Sequence, residues 1–204
     1  MARTLWIGFT ATLLIISLSS CTTITPPPSP VPPAAQKPWP DREAALTHLQ
    51  NWQLNGKIAV VTANDSGSAT VDWVQNQKHF NISLLGPLGT NGLKLSGQPG
   101  LVTLETADGK HFTAKSPEQL LAQQWGWNVP VSNLNYWVRG LPVPGMPHNS
   151  QFDAYHRLSN LTQQGWNIQY LGYETIGQLD LPNKIFITSS ALRTKIIVYH
   201  WKVG

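Results

Sequence analysis

Between Trp52 and Val203 the chain is written largely in period two. Trp52, Leu54, Ile58 and Val60 fall on one face, with Gly56 between them. After the turn Asn64-Asp65-Ser66-Gly67, Ala69, Val71 and Trp73 alternate with Thr70 and Asp72. Asn76-Gln77 turns the chain into Phe80, Ile82 and Leu84. Leu93 and Leu95 flank Lys94, and Val102 and Leu104 lead through Asp108-Gly109 to Phe112 and Ala114. Successive side chains of a strand point to opposite faces, so each run is a strand with one apolar side. Gaps of turn length between the runs predict an antiparallel meander.

Helical signals precede and interrupt this pattern. Asp41 to Asn51 reads as a helix capped by Asp41, with Glu43 in its first turn and Ala44, Ala45, Leu46 and Leu49 as its apolar side. Ser116-Pro117-Glu118-Gln119 carries a cap, a proline at the first helical position and a glutamine at the third. Leu120, Leu121 and Trp125 give that helix an apolar side, and Gly126 stops it. Ser132 is expected to cap a shorter helix bearing Leu134, Tyr136, Trp137 and Val138, closed by Gly140. Strands resume near Ala154. Gln164-Gly165 is a turn before Trp166, Ile168 and Tyr170, and Lys184–Thr188 and Leu192–Val203 form a last hairpin. In the final strand Thr194, Ile196, Val198 and His200 are expected on one face, and Lys195, Ile197, Tyr199 and Trp201 on the other. The fold expected is mainly β with helices: an open, incomplete antiparallel β-barrel of about 10–11 strands, with a helical lid over an apolar cavity. Interiors of such barrels are common ligand sites. The inward rings and branched chains expected to line this one are Trp52, Trp73, Phe80, Ile82, Leu84, Leu95, Leu104, Trp137, Ile196 and Val198.

The N-terminal region divides differently. Arg3 precedes an apolar stretch from Leu5 to Leu18, too short to span a bilayer comfortably. Small residues follow, then Cys21, the only cysteine of the chain. This is the pattern of a secretory signal peptide over residues 1–20. Leu18-Ser19-Ser20-Cys21 resembles a bacterial lipobox, which implies that Cys21 is acylated and becomes the first mature residue. A soluble exported chain is the alternative, but it would leave an unpaired thiol in an oxidising compartment. Residue 22 is Thr. In enterobacterial lipoproteins Asp there retains the protein in the inner membrane, so the lipobox reading implies the outer membrane. Residues 21–40 are then the lipidated cysteine and a Pro-rich tether of extended polyproline character. Residues 41–204 are a domain of ordinary size.

Composition narrows the function. The net charge is +4, and its lysines and arginines form no basic run, so no nucleic-acid footprint is present. Charged residues make up 12% of the chain, against about 25% in an average domain, and there are nine tryptophans. The six histidines show no helical metal-ligand spacing, and no paired-cysteine site, nucleophile elbow or phosphate loop occurs. Asp153 with His156 is the one possible dyad, and surface hydrogen bonding is its simpler reading. Arg139 and Arg157 either dock a partner protein or solvate the surface, and the second is their simpler reading. Neither catalysis nor a metal or cofactor is expected.

The loop Gly86-Pro87-Leu88-Gly89 presents leucine between two strands, where loops are normally polar. On composition alone, Leu88 either folds back onto the core or points outward to a membrane or partner. Trp52-Gln53-Leu54-Asn55-Gly56-Lys57-Ile58-Ala59, Trp73, this loop, Tyr136-Trp137-Val138-Arg139-Gly140-Leu141-Pro142, Arg157-Leu158 and Gln164-Gly165-Trp166-Asn167-Ile168-Gln169-Tyr170 occur in the order and spacing of a known family. Across 41–204 the chain resembles the LolB family of outer-membrane lipoprotein receptors. That resemblance implies a helix-lidded open barrel that accepts acylated lipoproteins from a soluble periplasmic carrier of the LolA type. It also implies release of the cargo into the outer membrane without use of a nucleotide. It assigns Leu88, with Gly86, Pro87 and Gly89, to a membrane-insertion loop. It places the protein in the outer membrane, lipid-anchored and facing the periplasm; the sequence carries no sign of oligomerisation, so a monomer is expected. A structural envelope lipoprotein with a filled barrel and a lipid-modifying enzyme are the rival readings.

Overall fold

The longest alternating run becomes the centre of the sheet. In the computed structural model, which describes residues 37–89, 92–126 and 128–204, Asn51–Thr62 forms β1. The signal peptide, Cys21 and the tether up to residue 36 lie outside the described residues. β2 (Ser66–Asn76), β3 (His79–Leu85), β4 (Leu93–Gln98), β5 (Leu101–Thr106) and β6 (His111–Ala114) follow as a meander. β7 (His148–Phe152), β8 (Leu158–Gln163), β9 (Trp166–Ile176), β10 (Leu179–Thr188) and β11 (Leu192–Val203) form a second one. The two join where β1 pairs with β11, giving one open 11-stranded sheet in the order β6-β5-β4-β3-β2-β1-β11-β10-β9-β8-β7. Every pairing is antiparallel. The edges are β6 and β7, and the chain crosses from one to the other through two helices.

Alternation is kept faithfully in the first meander. Leu54, Val71, Trp73, Ile82, Leu95, Val102 and Leu104 are all buried. Register aligns Leu54 with Trp73, Trp73 with Ile82, Ile82 with Leu95 and Leu95 with Leu104, which makes one apolar row across five strands. Cross-strand neighbours of this kind are the unit of sheet stabilisation.

The last strand departs from the expected pattern. Asn55 faces His200 but Gly56 faces Val198, so Tyr199 is an extra residue and β11 bulges there. The inward face passes from Ile196 and Val198 to Trp201, which is buried, while His200 is exposed. The Trp201 Nε1–H donates to Pro182 O at 2.9 Å, and its ring meets Trp52 edge-on at 5.5 Å. A bulge reverses the facing of everything beyond it. Unbroken alternation therefore mis-assigned His200 and Trp201.

The helices also begin elsewhere than their caps suggested. α1 spans Trp39–His48; Pro38 occupies its N-cap position and Asp41 lies within the first turn, where a carboxylate opposes the helix dipole. It ends before Asn51 because that residue pairs with Asn76 in the sheet. α2 (Pro117–Trp125) follows the capping reading: Ser116 Oγ accepts from Gln119 N at 3.2 Å, and Gln119 Oε1 accepts from Lys115 N. Gly126 ends it in the left-handed region at φ 69°. α3 (Val131–Trp137) starts one residue before Ser132, whose N–H donates to Glu118 Oε1 at 2.7 Å. The cap is thus a carboxylate of α2. Strands resume at His148, earlier than Ala154, which lies in the following turn. β7 is an edge strand with no buried residue, so it carried no alternation to read.

Arg139 corrects a further expectation. It is 5% exposed, with Nη1 donating to Leu46 O at 3.0 Å and Leu49 O at 2.8 Å and Nε to Asn135 O at 2.9 Å. Burial lowers its pKa to about 10, which leaves it charged at neutral pH. It fastens the end of α1 to the end of α3. Arg139→Met strips donors from three carbonyls and is expected to reduce stability by about 2–4 kcal/mol, read as a lower urea midpoint with unchanged slope. Arg157 donates to Asp153 Oδ2 at 2.8 Å and lies 4.6 Å from the ring centres of Tyr155 and of Tyr173. Asp153 therefore serves Arg157 and the turn backbone, and its bond with His156 is the backbone contact His156 N to Asp153 O.

Candidate functional site

The apolar row of the sheet does not pack solidly against the helices. A cavity of about 140 Å³ lies between them. Its sheet wall includes Leu54, Ile58, Val71, Trp73, Ile82 and Ile196; its roof is Leu121 of α2, Val129 and Pro130 of the connection, and Val131, Leu134 and Val138 in and after α3. Thr194 is the one hydroxyl in the wall, and no charged side chain lines it among the described residues.

Six of the ten expected residues, Trp73, Ile82, Leu84, Leu95, Leu104 and Ile196, meet here. The other four are placed differently. Trp52 stacks between Trp73 at 5.1 Å and Trp201. Trp137 is fully buried beside the cavity, its Nε1–H donating to Gln163 Oε1 at 3.0 Å. Phe80 borders a separate polar hollow. Val198 is buried opposite Gly56 at the bulge.

Leu121, Leu134 and Val138 lie on the helices expected to form the lid but were not among the expected cavity residues, and Val129, Pro130 and Val131 were missed, because helical spacing alone does not say which side faces the sheet. Sequence reasoning also missed Trp166, Ile187, Leu192 and Leu93, which alternation could have supplied. Gln163 was missed for another reason. It occupies an inward strand position as a polar residue, 1% exposed. Its amide accepts from Trp137 Nε1 and from Val143 N at 2.9 Å and donates to Val143 O at 3.0 Å. It locks the end of α3 and the following loop to β8.

The predicted loop leaves the rim of this cavity, since Leu84 before it and Leu93 after it both belong to the wall. Pro87–Gly89 forms a single 3-10 turn, closed by Gly89 N to Gly86 O at 3.0 Å. Pro87 and Gly89 are exposed, and Leu85 just before the loop is 47% exposed. The side chain of Leu88 and the following residues 90 and 91 are outside the described set.

At about 140 Å³ the cavity is comparable with engineered cavities of about 150 Å³ that hold one benzene. A long acyl chain needs more room than this. The hydrogen bonds of α2 at Ser116, Gln119 and Glu118 stay within the lid and its flank. Trp137 and Arg139, by contrast, anchor the far end of α3.

The family model described as Outer membrane lipoprotein LolB matches residues 50–201, which takes in all of the sheet but the last two residues of β11. The chain belongs to the LolB family. Curated LolB proteins of this family include that of Coxiella burnetii strain RSA 493, 36% identical over 93% of this chain and 90% of its own length. The LolB proteins of Nitrosococcus oceani, 37% identical over 93% and 94% of the two chains, and of Pseudomonas syringae, 40% over 80% of each, are further relatives. Among solved structures, a LolA superfamily protein from Nitrosomonas europaea superposes with a TM-score of 0.53 at 8% identity, covering 82% of this chain and 94% of that one. This likeness concerns the fold: an open antiparallel sheet carrying helices. The LolB family members are named outer-membrane lipoproteins, and this chain is one of that family by sequence along most of its length.

Proposed function

We propose that this protein is the outer-membrane receptor that receives acylated lipoproteins from a soluble LolA-type carrier in the periplasm and passes them into the outer membrane. The observation that carries this reading is the uncharged apolar cavity under a roof of short helices, in a member of the LolB family. Burial of acyl chains is worth about 0.8 kcal/mol per methylene, so a lipoprotein cannot cross water with bare chains. Transfer from one apolar cavity to another in contact is nearly balanced, and a slight preference sets its direction without a nucleotide. The bilayer, which buries the chains fully, is the final sink.

In this reading Cys21 carries the lipid anchor, the Pro-rich segment holds the domain off the bilayer on the periplasmic side, and the protein acts as a monomer. Leu88, framed by Gly86, Pro87 and Gly89, enters the membrane at the cavity rim and opens a path for the departing chains. Depletion in the native cell tests the function: lipoproteins are expected to accumulate in the periplasm or inner membrane, and normal sorting would refute it. Leu88→Glu tests the loop. Charge in the acyl region opposes insertion by about 2 kcal/mol or more, so cargo is still accepted from the carrier but reaches liposomes at least about tenfold more slowly. Unchanged delivery would remove the loop from the mechanism.

A further inference from the structure

A second hollow, of about 380 Å³, lies on the other side of Trp73 and Val131, which border both spaces. Unlike the apolar cavity it is mixed in character, with Phe80, Val102 and Tyr136 among its apolar lining. Lys78 comes from the β2–β3 turn and Lys115 from the segment before α2, while Gln75, Gln98, Ser132 and Asn135 supply further polar groups. No carboxylate lines it among the described residues. Both lysines are exposed, and the ion pairs among the described residues use other cations. The nearby Glu118 carboxylate accepts the N–H of Ser132 through Oε1. Asn135 adds an acceptor, Oδ1, that is buried without a donor.

An apolar chamber and a cationic, hydrogen-bonding chamber thus share a wall of one tryptophan and one valine. That arrangement matches an amphiphile whose acyl chains are followed at once by clustered oxygen acceptors. We propose that the second hollow is a head-group subsite for glycerol-linked acyl lipids, in which Lys78 and Lys115 donate to the ester, amide or phosphate oxygens of a ligand whose chains occupy the apolar cavity. The proposal rests on the acyl-binding reading above and adds to it a preference among acyl ligands. Exposed ammonium groups donating to such oxygens select for the head without contributing to the chains. Val131, one of the two residues between the spaces, sits at the start of α3.

The test uses the full chain with Cys21→Ala, with and without Lys78→Ala/Lys115→Ala, and a hydrophobic dye displaced by four competitors. These are a dipalmitoylglyceryl-cysteinyl peptide, dipalmitoyl phosphatidylglycerol, dipalmitoylglycerol lacking a charged head, and methyl palmitate. The double variant is expected to keep its affinity for dye and methyl palmitate and to lose about tenfold for the lipopeptide. A loss confined to phosphatidylglycerol would support the subsite with phospholipid as its ligand. Equal affinities of parent and variant for all competitors, or an equal loss for methyl palmitate, would overturn the subsite. A parent chain that binds neither dye nor methyl palmitate would instead overturn the acyl-binding reading beneath it.

Discussion

Ile58→Trp is expected to lower affinity for an acyl ligand about fiftyfold while the melting temperature stays level or rises. Ile58 lines the cavity from β1, between Ala69 and Ile196 in register, and is only half-buried. The larger ring has empty apolar space to grow into, so it gains packing where a solid core would be overpacked. Each methylene of ligand it excludes forfeits about 0.8 kcal/mol, and three give about 2.4 kcal/mol, hence the fiftyfold estimate. Dye or lipopeptide displacement measures the affinity, and calorimetry measures the stability. A sharp loss of stability would mean that the space is closed in solution. Unchanged binding would mean that chains lie elsewhere.

The second large effect concerns the bulge rather than the cavity. Gly56→Ala is expected to destabilise the domain by about 3 kcal/mol or more. A Cβ at Gly56 would lie 2.1 Å from Ile197 O, a backbone atom held in the β1–β11 pairing. Neither strand can yield without breaking the contact that joins the two meanders. Gly67→Ala is the matched control, because nothing lies within 4 Å of its Cβ position, and it should change stability by no more than about 0.5 kcal/mol. Urea unfolding of both variants separates the two outcomes. Equal midpoints would show that the bulge is not fixed as described.

Much of this architecture was legible in the residues because alternation is a direct consequence of strand geometry. The row Leu54, Trp73, Ile82, Leu95, Leu104 could be written down from the chain, and it is the floor of the cavity. What failed had no periodic signature. The bulge at Tyr199 depends on Gly56, far away in sequence, and only the pairing of the two shows that Trp201 turns inward. Ser132 has the chemistry of a cap, yet Glu118 performs that role from a neighbouring helix. Arg139 reads as a surface cation until the carbonyl ends of α1 are brought to it. Trp52 and Trp137 have the right faces for the cavity, but partners from other strands, Trp201 and Gln163, draw them into packing beside it. Sequence gives the face on which a side chain emerges. Whether that face meets empty space depends on long-range pairing.

Acyl binding in the proposed function requires the roof of α2 and α3 to move aside so that the small cavity takes in the chains. Isothermal titration of the full chain carrying Cys21→Ala with a dipalmitoylglyceryl-cysteinyl peptide, at several temperatures, measures this directly. Saturable binding of one lipopeptide per chain with a negative heat-capacity change is the predicted result, since apolar burial on binding carries that sign. No saturable binding, or binding without a heat-capacity change, would contradict it and leave a filled, structural barrel.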